Sequence, residues 1–180
     1  MTAEQVPADY RIAVPDSWFC VPLEPGERER AIKALADRQF AGPDHTPKLK
    51  RELREQLQRH AEAAYQAGGI ELYMSMMRVG PVAVPASLLI TLVPPPPSGP
   101  VSTEALAATL PGQPEQATFP AGPAVRVISQ APGTGLNVDV YHQVPGGGGW
   151  LRLAFATPLG DLADSMRELF DAIASTLRWR

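Results

Sequence analysis

The stretch from Trp150 to Arg180 constrains the fold of this chain more than any other. Trp150, Leu151, Arg152, Leu153, Ala154 and Phe155 alternate as the residues of a half-buried strand do, and Leu162, Met166, Leu169, Phe170, Ile173 and Leu177 then recur at helical spacing. A glycine run precedes the strand and Asp161 is placed to cap the helix. A last strand thus feeds a last helix whose broad apolar face must pack on a sheet. If the strand buries Leu151, Leu153 and Phe155, then Trp150 and Arg152 point to the opposite sheet face, beside Tyr141 of the strand before.

The rest of the chain supplies that sheet. Tyr10, Ile12 and Val14 alternate with polar or small residues, Pro15–Ser17 turn the chain, and Trp18–Val21 resume an extended apolar run, so an opening hairpin is expected. A helix is predicted from near Gly26 to Gly42, with Ile32, Leu35, Ala36 and Phe40 inward. A second follows at Thr46 and Pro47, lined by Leu49, Leu53, Leu57, Ala61 and Ala64 and stopped by Gly68 and Gly69. Leu72–Met77 and Ala86–Val93 read as strands. In the latter, apolar residues occupy both faces, as they do when a sheet is covered on both sides. Residues 94–100 form a proline-rich loop, Ser102 opens a short helix, and 111–123 is expected to be irregular. Ala124–Gln130 and Leu136–Val144 alternate again, and Pro145–Gly149 connect the second of these to Trp150 as a hairpin. Short connections favour antiparallel pairing. The expectation is one α+β domain over 1–180, an antiparallel twisted sheet with helices on both faces. A chain of 180 residues can bury about 70% of its unfolded surface in one core.

Two short motifs in this order of elements resemble the Mog1/PsbP-like proteins. Val14-Pro15-Asp16-Ser17-Trp18 is similar to the Pro-x-Gly-Trp turn of their opening hairpin, with Ser17 in place of the glycine. Leu151-Arg152-Leu153-Ala154-Phe155, followed by a helix with Phe170, Ile173 and Leu177 that ends near Trp179, resembles their closing unit. The resemblance implies an α+β sandwich used mostly to bind other macromolecules: members include photosystem-associated subunits, a binder of a small GTPase and actinobacterial lipoproteins. This chain lacks the lipidation cysteine of the last group, since Cys20 falls inside a predicted strand. No functional residue transfers from the family. In overall style the chain also resembles small actinobacterial proteins encoded beside secretion components. Scarce lysine, abundant arginine and the Ala-Pro-Gly bias fit the same source.

Chemistry is harder to find. A net charge of -3 lacks the basic field that displaces counterions from phosphates, so nucleic acid is not the expected partner. One cysteine allows neither an internal disulfide nor a cysteine zinc site. Cys20, beside Phe19 and Val21 with no cation near in sequence, reads as a small buried hydrophobe. Residues 1–9 carry no basic region followed by an apolar one, and no apolar run is long enough to span a bilayer; a soluble, unprocessed, cytoplasmic protein without membrane insertion is expected. His142 and Asp139 lie three apart in one strand, hence on opposite faces, and His45 and His60 lie elsewhere. No serine sits in a Gly-x-Ser-x-Gly elbow, and Gly146–Gly149 lies between two strands, away from any helix terminus that could hold phosphate.

Catalytic, cofactor and metal sites are therefore not expected, and the chain reads as a protein-binding or adaptor protein, an accessory factor or chaperone for a secretion system with a protein partner. Tyr141, Trp150 and Arg152 are its expected partner-binding residues if they are exposed, because exposed aromatic and arginine side chains dominate interface energetics; the competing account packs them under another helix. The alternative is a small-molecule binder or enzyme whose site is assembled from distant segments around Met74, Met76, Tyr141 and His142. Met74, Met76 and Met77 could also line an adaptable pocket of their own. The second helix concentrates Lys48, Lys50, Arg51, Arg54 and Arg59 among Glu52, Glu55 and Glu62, a solvated face or a surface for an acidic partner.

Overall fold

The computed structural model describes residues 9–41, 47–130, 133 and 135–180. Thr46 and Gly42, expected at the start of the second helix and the end of the first, lie outside the described residues, as does His45. In chain order the elements are β1 (Tyr10–Arg11), β2 (Trp18–Val21), α1 (Pro25–Gln39), α2 (Pro47–Gln66), β3 (Gly69–Ser75), β4 (Arg78–Val79), β5 (Val82–Ala83), β6 (Ser87–Val93), α3 (Thr103–Ala107), β7 (Glu115–Phe119), β8 (Gly122–Gln130), β9 (Leu136–Gln143), β10 (Trp150–Thr157), α4 (Ala163–Ala174) and β11 (Arg178–Trp179). Among the described residues seven strands form one sheet in the order β2-β3-β6-β10-β9-β8-β7, and every neighbouring pair is antiparallel. The fold class is thus α+β, with helices on both faces of an antiparallel sheet.

Period-two alternation divides the side chains between the faces. One face gathers Leu88 and Ile90 of β6, Leu151, Leu153 and Phe155 of β10, and Val138 and Val140 of β9 beneath Met166, Phe170 and Ile173 of α4. Phe170 is wholly buried, stacks on Phe155 at 4.8 Å between ring centroids and meets Trp18 edge-on at 6.5 Å. Arg126 on β8 bonds Glu115 of β7 at 2.6 Å and Asp171 of α4 at 2.7 Å, tying helix to sheet at one side. The other face is covered in two separate places. Ile32 and Leu35 of α1 and Leu57 and Ala61 of α2 pack on Val21 and Leu72. Leu106 of α3 packs on Val125, Tyr141 and Trp150.

Several expectations need correcting. The opening hairpin does not form: β1 pairs with β11 at the far end of the chain, and β2 pairs with β3. The turn itself exists, since the Trp18 amide donates to the Pro15 carbonyl at 2.9 Å, but it delivers the two strands to different sheets. The region 111–123 is not irregular, because Glu115–Phe119 is the edge strand β7. Asp161 does not cap α4; it lies in a short 3-10 turn over Gly160–Leu162 that precedes the helix, and Leu162 occupies the cap position without a side-chain bond. Leu49 and Leu162, expected inward, are exposed. Ser102 does cap α3, accepting from the Ala105 amide at 3.2 Å. The glycine-rich connection does close the β9–β10 hairpin. Gly149 there has φ +94°, and a Cβ on it would fall 2.3 Å from the Val93 carbonyl oxygen, so only glycine fits.

Candidate functional site: a methionine-lined cleft beside an apolar ribbon

The end of β3 is where the sheet opens. Ser75 is buried and its backbone amide donates to the Ala86 carbonyl at 2.8 Å, while its hydroxyl donates to the Val84 carbonyl at 3.1 Å and accepts from the Met77 amide at 3.2 Å. Val84 in turn donates to the Met77 carbonyl at 2.9 Å. One serine therefore stitches the departing and returning chains together, and what lies between them projects as the small ribbon β4–β5. Its turn is Gly80-Pro81, with Gly80 at φ +59°, a conformation that glycine adopts without strain. The Arg78 guanidinium donates to the Pro81 carbonyl at 2.6 Å and steadies it. Val79 and Val82 pair across the ribbon and stand 64% and 56% exposed.

Beside the ribbon a cleft of about 250 Å³ runs between the α1–α2 pair and the sheet, lined mainly by Phe40, Leu53, Leu57, Met74, Met76 and Met77. Its outer wall is held by ion pairs. Arg28 of α1 is buried and bonds Glu62 of α2, and Lys50 of α2 reaches Asp37 of α1 at 2.5 Å. Lys33 shares Asp37 at 3.1 Å, and these two ammonium groups hold that carboxyl below its usual range. Gln66 and Arg28 do the same for Glu62.

Of the three residues expected at a partner surface, two are packed. Trp150 is 2% exposed and Tyr141 9%, because Val93, Val101 and Leu106 close over them. Trp150 forms the floor of a second hollow of about 320 Å³ beneath Pro94, Pro96 and Pro100. Arg152 reaches the surface, but its charge is engaged: Nε and one terminal nitrogen each lie 2.8 Å from Asp139 Oδ1, and its guanidinium sits 5.7 Å from the Tyr141 ring centroid. Burial raises the Tyr141 hydroxyl pKa.

The alternative set does not come together. Met74 and Met76 line the cleft on one side of β6, whereas Tyr141 lies under α3 three strands away and His142 projects to the α4 face. His142 is 1% exposed, with Leu151 and Ala124 opposite it across the ladder and the Phe119 ring at 5.0 Å. Neither ring nitrogen has a hydrogen-bond partner among the described residues, and burial lowers its pKa to about 4, so the ring is neutral at neutral pH. Asp139 faces the other way, as their spacing requires.

Cys20 overturns its expectation. It is exposed, on the edge strand β2, although the desolvation its side chain does undergo, with Glu71 nearby, raises its thiol pKa. A thiol held protonated is a poor nucleophile. Glu71 accepts from the Tyr10 hydroxyl at 2.5 Å and from Tyr73 at 3.4 Å, and burial raises the pKa of both phenols. Among the described residues no group of His, Cys, Asp or Glu could hold a metal ion. No helix there is long and apolar enough to cross a membrane.

The sequence signal for the cleft was present in the Met74-x-Met76-Met77 cluster; the ribbon had none beyond the Gly80-Pro81 turn. No protein-family model and no curated protein sequence matches this chain. Among solved structures, the chain is similar to the solution structure of cyanobacterial PsbP (CyanoP) from Synechocystis sp. PCC 6803, at 12% identity and a TM-score of 0.43, over 95% of this chain and 86% of that one.

Proposed function

We propose that this chain is a non-catalytic adaptor that binds an apolar segment of a protein partner. In this reading it is a cytoplasmic, actinobacterial protein of the Mog1/PsbP-like type, an accessory factor or chaperone for a secretion system, a placement that rests on the resemblance in its sequence. The observation that carries the binding reading is the exposed Val79–Val82 pair standing beside the methionine-lined cleft. Apolar side chains grouped on a surface mark interaction sites, and thioethers repack around differing partners at little cost. At about 250 Å³ the cleft is smaller than the roughly 300–1,000 Å³ typical of small-molecule sites, and suits one or two inserted side chains. The acidic net charge argues against nucleic acid.

Site-specific photocrosslinking tests this. A benzophenone amino acid at Val79 should capture one protein from a lysate of the native host, and Met76→Glu, which sets a charge at the cleft, should abolish the capture while the fold persists by circular dichroism. Equal capture by both proteins, or none from either, would defeat the reading. A small metabolite that raised the melting temperature of the wild type and not of Met76→Glu would move the assignment to a ligand-binding protein.

A further inference from the structure

We infer that the outer edge of β2 receives an extended segment of a partner protein, which adds as a strand beside Trp18–Val21, seats an apolar side chain against α1 and sets a carboxylate on Arg38. The inference rests on the reading of this chain as a protein-binding protein and assigns to it a surface separate from the methionine cleft.

The two edges of the main sheet differ. At the β7 edge Pro114 and Pro120 bracket the strand, Glu115 is paired with Arg126, and Gln116 accepts from the Thr103 hydroxyl at 3.2 Å. Flanking prolines and occupied polar side chains are how an edge is kept from pairing further. β2 is Trp-Phe-Cys-Val; Pro22 closes one end of it, but it carries no charge, and among the described residues it is the last strand of the sheet on its side. The Met76 amide donates to the Ser17 carbonyl at 2.8 Å, and the register pairs Trp18 with Ser75, Phe19 with Met74 and Cys20 with Tyr73. In an antiparallel ladder alternate residues bond the same neighbour, so Phe19 and Val21 bond β3 while Trp18 and Cys20 direct their backbone groups outward. Trp18 N–H is taken up by the Pro15 carbonyl. The Trp18 carbonyl and both backbone groups of Cys20 are left in a row, the pattern an added strand completes.

A groove runs along this edge. Phe19 and Val21 on β2 and Ala31, Ala34, Leu35 and Arg38 on α1 enclose about 160 Å³, room for a side chain and little more. Ala31 and Ala34 leave the gap because their side chains end at Cβ. Alternate side chains of an added strand fall on the α1 side of the sheet and enter it. Arg38 lies over the Phe19 ring at 5.3 Å and has no carboxylate partner among the described residues, so the charge it awaits is negative. Backbone groups specify an extended occupant, the groove an apolar residue, and Arg38 an acidic one.

The test uses the full chain and a displayed library of random 12-residue peptides. Selected peptides should pair an apolar with an acidic residue and should slow hydrogen exchange at the Cys20 amide. Cys20→Pro removes the outward donor and leaves the β2–β3 bonds intact, and it should weaken binding about tenfold, the scale of one lost strand hydrogen bond. Ala34→Trp, at an exposed helix position that fills the groove, should weaken it at least as much without touching the strand, which guards against misfolding of the proline variant. Arg38→Glu should change the selected sequences from acidic to basic. An unselective library, or peptides that bind Cys20→Pro and Ala34→Trp as tightly as wild type, would overturn the inference. Peptides that protect amides around Met76 and spare Cys20 would overturn it too, while upholding the cleft as the docking surface.

Discussion

The two faces of the sheet are built from the same strands and end up covered in different ways. Under α4, Leu88, Ile90, Leu151, Leu153, Phe155, Val138 and Val140 form one continuous core, and Arg126 locks its rim to helix and neighbouring strand. On the opposite face the apolar residues fall into two islands, one beneath α1 and α2 and one beneath α3, with the Arg152–Asp139 pair between them. A continuous core leaves nothing for a partner to do. A divided one leaves rims, and both proposed surfaces lie on the rim of the α1–α2 island: the methionine cleft at one end of β3, and the open edge of β2 along its side. The two proposed surfaces thus fall on the divided side, away from the continuous core.

The largest effect should come from breaking the continuous face. Phe170→Ala empties a fully buried site against Phe155 and Trp18 and should cost about 3–5 kcal/mol in urea unfolding. A loss below about 1 kcal/mol would mean that the α4 face is not the main core. His142 tests the same face by pH. Its folded pKa near 4 lies below the unfolded value of 6.5, so the unfolded chain takes up the proton first, and the stability held above pH 6.5 drains away as pH falls toward 4. The full loss is on the order of 3 kcal/mol, and His142→Leu should flatten the stability profile across that window. A profile of unchanged slope would show that other groups carry the acid sensitivity. The divided face should respond least. Arg152→Ala opens a part-exposed ion pair and should cost no more than about 1 kcal/mol. A cost as large as that of Phe170→Ala would erase the contrast between the faces.

Legibility followed periodicity. β8, β9 and β10 announce themselves because apolar residues alternate along eight or nine positions, and β6 because a run of apolar residues fills both of its faces. β7 does not, since Glu-Gln-Ala-Thr-Phe lacks an apolar stripe and its prolines read as loop; it is a strand because β8 offers a neighbour. β1 pairs with β11 across almost the whole chain, a contact that no local window contains. Alternation places Trp150 and Arg152 on Tyr141's face, as found, yet burial depends on what covers that face, and α3 with the loop before it covers Trp150 and Tyr141. The exposure of Cys20 likewise follows from β2 being at an edge, which is a property of strand order.

Periodicity and turn chemistry are enough to dictate the local states: the α4 stripe, the long alternating strands, the Ser102 cap, the glycine-rich hairpin and the separation of His142 from Asp139. Each depends on residues within a few positions of one another, where geometry repeats along the chain. Strand order, the partner of β1, the ribbon beside the methionines and the open edge of β2 were decided by the tertiary structure alone. These depend on which distant surface satisfies a strand's backbone groups and buries its apolar side. That competition is settled among all the elements at once.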